Sequence, residues 1–333
     1  MNGEIMCEEI DTTIQSLGDP TIDSPLLATT RFVEESERVL IDSSLTAVNA
    51  CLRDRKKIPS FECAGPRKKI FFDPSKTKCG VVTCGGLCPG INDVIRGIVH
   101  ELYFIYRVEN IYGIPYGLQG FIPRYRHPFI DLTPSFVENI HELGGTVLGS
   151  SRGSQDIGEI VDAIERVNLN IVFFIGGDGT LKAASAVARE MLARGYTGSV
   201  IAIPKTIDND ISFVSQTFGF DTAVEEARKV IQCAHVESRG APCGIGLVKL
   251  MGRDSGFIAA NAALACRDAN FVLVPEEDFD LEGEKGFLAT LERRLKARGH
   301  AVVVVAEGAG QKFFGDLQQQ TDPSGNVKKG DIG

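Results

Sequence analysis

The stretch Ile171-Val172-Phe173-Phe174-Ile175-Gly176-Gly177-Asp178-Gly179-Thr180 reads as a buried strand that ends in a glycine turn and runs straight into a helix. Its five apolar residues are all β-branched or aromatic and are bounded by glycine, which fits a strand covered on both faces. Residues 180–193 then continue with helical period. Glycines at such a turn let a phosphate approach the backbone, and the helix start offers free N–H groups and partial positive charge. Asp178 is placed to hold the Mg²⁺ that neutralises nucleotide phosphates, through one carboxylate and several waters.

The same unit recurs on both sides of this stretch. Further strands are expected at 80–83, 200–203, 246–250, 271–274 and 301–306. Helices are expected at 93–107, 157–167, 180–193, 222–235, 256–266 and 281–298. In 222–235 the residues Val224, Ala227, Ile231 and Ala234 recur at helical spacing and define one buried face. Strands alternating with helices imply an α/β fold with parallel sheets covered on both sides. Ligands of such sheets bind beyond the carboxyl ends of the strands.

Further motifs fall at those ends. Gly85-Gly86-Leu87-Cys88-Pro89-Gly90-Ile91-Asn92 follows the first strand; it is a phosphate-binding turn or an ordinary tight turn. Pro204-Lys205-Thr206-Ile207-Asp208-Asn209-Asp210 places two carboxylates beside a lysine, as a proton acceptor with its support or as an Asx turn. Met251-Gly252-Arg253 offers an arginine fork for phosphate, or a surface ion pair with Asp254. Glu307, followed by Gly308-Ala309-Gly310, suits sugar hydroxyls or caps a turn. Leu148-Gly149-Ser150-Ser151-Arg152-Gly153 sets Arg152 among small residues. Each has a structural reading by itself; their joint placement implies phosphoryl transfer from a nucleotide to a hydroxyl. The P-loop pattern and the protein-kinase signature set are missing from the sequence.

Composition narrows the class. The 333 residues are 43% hydrophobic and 24% charged with a net charge of −9, a soluble globular composition at odds with a general nucleic-acid binder. No apolar run approaches the 20 or so residues a membrane helix needs. Residues 1–50 carry ten acidic and two basic side chains, and 51–80 reverse this with nine basic and three acidic. That basic stretch is expected to be a solvated surface. With no basic-apolar secretory start and nine cysteines expected as reduced thiols, the expected compartment is the cytosol.

The ordered set GGLCPGIN, LGSSRG, GGDGT, PKTIDND, MGR and AEG, from about Cys79 onward, resembles the phosphofructokinase family. YGIPYGLQGF at Tyr112–Phe121 and GLVKLMGR at Gly246–Arg253 look like its plant-type, ATP-dependent branch. The resemblance implies a Rossmann-like phosphofructokinase fold of two α/β domains. Residues 1–78 would be a leader, 79–210 the nucleotide-binding domain and 211–333 a partial sugar-phosphate domain. It implies that Gly86, Arg152, Gly153, Gly177, Asp178, Gly179 and Thr180 contact ATP, with Asp178 on Mg²⁺. Thr206, Ile207, Asp208, Met251, Gly252, Arg253 and Glu307 would meet fructose 6-phosphate. Asp208 would be the base for the sugar 1-hydroxyl, supported by Asp210 and Arg253. A homo-tetramer is also implied.

Two positions bear on the donor. In the family, glycine at the place of Gly179 goes with ATP, whereas Lys205 is typical of pyrophosphate users; the plant-type ATP branch combines the two. Pyrophosphate-dependent, NAD- or lipid-kinase and non-catalytic regulatory-subunit readings stay open at this point. Family members of this branch continue past the AEG motif with further strands and a Tyr-Met-Ile-Arg-like segment that helps bind the sugar phosphate. For a chain ending at Gly333 the expectation is an incomplete second domain, weak or absent activity and poor solubility.

Overall fold

Every expected strand is present in the computed structural model, which describes residues 11–26, 30–315, 330 and 332. Cys7 lies outside them. The chain before Lys78 forms β1 (Ile22–Asp23), β2 (Arg38–Leu40), α1 (Leu45–Arg53), β3 (Ser60–Glu62) and β4 (Lys69–Ile70). β1 pairs with β4 and β2 with β3, both antiparallel. The acidic and basic halves of this segment meet: Arg67 pairs with Glu35 at 3.1 Å, Lys68 with Glu34 at 3.6 Å and Lys69 with Asp23 at 2.6 Å. Such exposed pairs contribute about 0–1 kcal/mol each.

Five strands then build the larger sheet: β5 (Lys78–Thr83), β6 (Asn110–Ile114), β7 (Ile130–Asp131), β8 (Ile171–Gly176) and β9 (Ser199–Pro204). Their order is β7-β6-β5-β8-β9. All neighbours are parallel except the two-residue edge strand β7, which runs antiparallel to β6. β6 and β7 were not among the expected strands. In β6, Gly113 breaks the apolar pattern because the side chains of Leu148 and Leu132 occupy the space of a Cβ. Helix α2 (Ile91–His100) covers one face with Ile91, Ile95 and Val99. It passes into a π turn, Glu101–Ile105, rather than continuing as α-helix to Arg107. On the other face lie α3 (Ile157–Val167), capped by the Asp156 carboxylate accepting from Glu159 N, and α4 (Asp178–Ala193).

The smaller sheet is wholly parallel. After α5 (Phe220–Arg239) come β10 (Gly244–Leu250), α6 (Phe257–Cys266), β11 (Phe271–Leu273), α7 (Phe287–Arg298) and β12 (His300–Ala306), with strand order β10-β12-β11. The expected face of α5 packs as read: Ala227 and Ile231 are buried, with Val224 and Ala234 against the same cluster. α7 starts six residues later than expected, since Gly283 holds a left-handed φ of 96° and Gly286 caps the helix. No helix among the described residues is long and apolar enough to cross a membrane. Of the eight described cysteines, Cys51, Cys79, Cys84 and Cys88 are buried, and Cys233 and Cys243 are exposed. Burial pushes the Cys79 and Cys84 thiols up to about 12.

Candidate active site

From β5 the chain crosses to β6 on one side; from β8 it crosses to β9 on the other. The carboxyl ends of β5 and β8 therefore form the switch point where such sheets bind ligands. The turn Gly85–Gly90 and the turn Gly176–Gly179 meet there. Lys205, just after β9, ties them together: its N–H donates to Gly176 O at 2.9 Å and its ammonium to Gly86 O at 2.6 Å. Its side chain is only 5% exposed. That burial lowers its pKa, while the nearby Cys88, Cys84 and Asp208 pull it up. The Leu148–Gly153 loop adds a third wall, with Ser150 Oγ donating to Gly85 O at 2.6 Å and Gly85 N to Ser151 O at 3.3 Å. Between this loop and the Gly85–Gly90 turn lies a cavity of about 490 Å³, lined by Gly85, Gly86, Thr146, Ser150, Ser151 and Arg152 among others.

At the start of α4 the N–H groups of Thr180 and Leu181 turn back to Gly177 O. Those of Asp178 and Gly179 stand at the positive end of the helix. The Asp178 side chain is exposed there. A Cβ at Gly179 would meet nothing within 4 Å, and the residue has no left-handed φ. Neither packing nor backbone geometry requires glycine at this helical position, where it costs roughly 0.5–1 kcal/mol relative to alanine. What its bare backbone provides is close access from outside.

The Pro204–Asp210 loop joins this half to the smaller sheet. Asp208 is 7% exposed. Burial first, then the neighbouring Asp210 carboxylate, raise its pKa above the ordinary aspartate range; Thr206 and Arg253 oppose this, and Glu307 adds to it. The Asp208 N–H donates to Thr206 Oγ1 at 3.1 Å, so the turn chemistry and the buried carboxylate occur together. Buried Ser255 sets its hydroxyl 2.9 Å from Asp208 O and 3.0 Å from Gly252 O. The Met251–Arg253 turn follows β10 and holds φ values of 148° at Gly252 and 51° at Arg253. Glu307, directly after β12, fixes it: one carboxylate oxygen accepts from Arg253 N at 2.8 Å and from Gly252 N at 3.2 Å.

Hydrogen bonds thus join Lys205 to Gly86 and Gly176, Ser255 to Asp208 and Gly252, and Glu307 to Gly252 and Arg253. Glu307 is already engaged with backbone through one oxygen, and Met251 is 62% exposed. The motif reading assigned no role to Asn209, Ser150 or Ser255, all of which shape the loops. The serine directly before Gly256 and the Asn between two Asp were the available signals.

Residues 78–328 match the family Phosphofructokinase. The chain belongs to the phosphofructokinase family. It is 48% identical over 338 residues to an ATP-dependent 6-phosphofructokinase of Borreliella burgdorferi, covering 98% of this chain and 75% of that one. An Amycolatopsis methanolica protein of the same name is 48% identical, with 97% and 73% covered. ATP-dependent 6-phosphofructokinase 7 of Arabidopsis thaliana is 44% identical, with 99% and 68% covered. Among solved structures, a pyrophosphate-dependent phosphofructokinase from Marinobacter aquaeolei shares the phosphofructokinase fold at a TM-score of 0.61 and 23% identity. The alignment covers 70% of this chain and 61% of that one. The chain thus spans about three quarters of these bacterial relatives' length and about three fifths of that structure.

Proposed function

We propose that this phosphofructokinase transfers the γ-phosphoryl group of ATP to the 1-hydroxyl of fructose 6-phosphate, giving fructose 1,6-bisphosphate. The observation that carries the reading is the position of Asp208. It is a buried carboxylate of raised pKa, between the glycine turns of the larger sheet and the arginine turn of the smaller one.

In this reading residues 79–210 hold the nucleotide and 211–333 contribute to the sugar phosphate. Backbone donors at Gly86 and at Gly177, Asp178, Gly179 and Thr180, with Arg152 and Gly153, receive the ATP phosphates. Asp178 fits a Mg²⁺ ligand: exposed, at a helix start, and single, as suits an ion that keeps most of its waters. When bound, the ion would neutralise phosphate charge. Asp208 accepts the hydroxyl proton; Asp210 keeps its basicity high. Arg253, Met251, Gly252, Thr206, Ile207 and Glu307 orient the sugar phosphate. Catalysis is positioning and electrostatics, as phosphoryl transfer requires.

The open space at Gly179 supports ATP, since a carboxylate there would crowd and repel the α-phosphate. Buried Lys205 favours pyrophosphate as the second reading. A coupled assay of the purified chain with fructose 6-phosphate, Mg²⁺ and either donor separates them. ATP-dependent turnover lost in Asp208→Ala supports the first. Turnover with pyrophosphate alone supports the second, and turnover with neither sinks both.

A homo-tetramer accords with the exposed apolar side chains Ile245 and Leu247 on β10 and Leu264 on α6. Analytical ultracentrifugation giving a monomer would overturn it. The described cysteines, read as reduced thiols, suit a reducing compartment such as the cytosol.

A further inference from the structure

The segment before β5 reaches the loop that carries the base through an aromatic pair. Phe61, in β3, sets its ring edge-on to Phe213, with centroids 5.7 Å apart and planes at 69°. Phe213 lies in the loop between Asp208 and Thr217. That loop is closed on itself by Asn209, whose Oδ1 accepts from Thr217 N at 2.8 Å and whose Nδ2 donates to Ser215 O at 3.4 Å. Val214 N adds a turn to Ile211 O at 3.2 Å. A displacement of residue 213 is therefore passed to residue 209, between the two aspartates.

The conformation of Phe213 itself needs support. It has a φ of 65° and is 60% exposed. A bulky side chain in the left-handed region persists only where its surroundings hold it. Asn209, with φ 56°, is held by its own side-chain bonds, whereas Phe213 has the ring of Phe61. Phe61 is in turn braced. Its β3 strand pairs with β2 in the register Val39–Phe61. The carbonyl of buried Ser60 accepts from Thr12 Oγ1 at 2.8 Å and from the Arg38 guanidinium at 2.5 Å.

We propose that Phe61 is a positioning residue: the β2–β3 ladder clamps Phe213 and, through the Asn209-closed loop, holds Asp208 and Asp210 in place for proton removal. The catalytic part of this rests on the phosphofructokinase reading above; the clamp itself does not.

The test uses the full chain with Phe61→Ala, Phe61→Tyr and Phe213→Ala. Hydrogen exchange of a peptide spanning 208–217 reads the clamp without activity. Both alanine variants are expected to exchange there about fivefold to tenfold faster, the scale of one lost aromatic pair, with β5, β8 and β12 unchanged. In the coupled assay kcat is expected to fall by a similar factor while KM for ATP holds, and Phe61→Tyr to restore both. Phe213→Ala removes the contact without touching β3, should Phe61→Ala fail to fold. Unchanged exchange overturns the proposal. So does faster exchange with unchanged kcat in an active enzyme. If the wild-type chain phosphorylates nothing, the functional reading fails and exchange alone decides the clamp.

Discussion

The ammonium of Lys205 and the carbonyl of Gly86 are joined at 2.6 Å, linking the end of β9 to the turn after β5. This bond spans the switch point of the larger sheet, with Lys205 buried and Gly86 at the exposed surface of its turn. Lys205→Met keeps the stem and removes the donor. The Gly86 carbonyl then loses a charge-assisted bond, at a cost of about 1.5–3 kcal/mol. Thermal melting should fall by several degrees, and KM for ATP should rise more than KM for fructose 6-phosphate. Equal rises in both would show that the bond does not belong to the nucleotide half.

Asp208 and Asp210 should divide their roles by pH. Asp208 must be ionised to accept a proton, and its raised pKa places the acid limb of kcat/KM above the ordinary aspartate range. Asp210→Asn removes a like charge, so that limb should move to lower pH. A limb that stays put in Asp210→Asn assigns it to another group.

The same burial carries a stability cost. A carboxyl with a raised folded-state pKa binds more protons folded than unfolded between the ordinary aspartate value of 3.8 and the folded value. Stability from this group is therefore lost as pH rises through that window. Asp208→Asn removes the charged form. It should melt above the wild type at pH 7, lose this advantage towards pH 3, and lose about 10²–10⁴-fold in kcat. A lower melting temperature at pH 7 would refute the account.

Gly179→Asp should separate folding from donor binding. The position has open space and lies in the first turn of α4, where a negative side chain is favourable by about 0.3–1 kcal/mol. The variant is expected to melt at or above the wild-type temperature, yet to lose more than about tenfold in kcat/KM for ATP through phosphate repulsion. An unstable variant would mean that glycine is there for the fold.

Glu307 holds the arginine turn by two backbone N–H groups. Glu307→Gln keeps a carbonyl acceptor and should change KM for fructose 6-phosphate little. Glu307→Ala leaves both donors unpaired beside a left-handed Arg253, and that KM should rise about tenfold or more. Equal effects from both variants would point instead to direct contact of the carboxylate with the sugar.

What could be read from the sequence was local. Glycine turns after apolar runs located β5, β8 and their loops, because a strand end and a helix start leave their marks within a few residues. The face of α5 followed from spacing alone. Features built by long-range partners were hidden. β6 is interrupted by a glycine that serves Leu148 and Leu132, residues distant in sequence. β7 is two residues long and exists only by pairing with β6. The oppositely charged halves of the first 78 residues looked like separate solvated surfaces until Glu34, Glu35 and Asp23 met Lys68, Arg67 and Lys69. The two acceptors of Ser255 lie on different loops, which no spacing rule connects.

That serine sets the friction between the two sheets. Its hydroxyl has one proton and two carbonyls within reach, so Asp208 O and Gly252 O compete for it. A slide of a few tenths of an ångström along this seam exchanges one acceptor for the other and leaves the number of bonds unchanged. A lysine or arginine in its place would bond both loops at once and lock them. With a single shared proton the loop of Asp208 and the arginine turn are coupled through one hydroxyl.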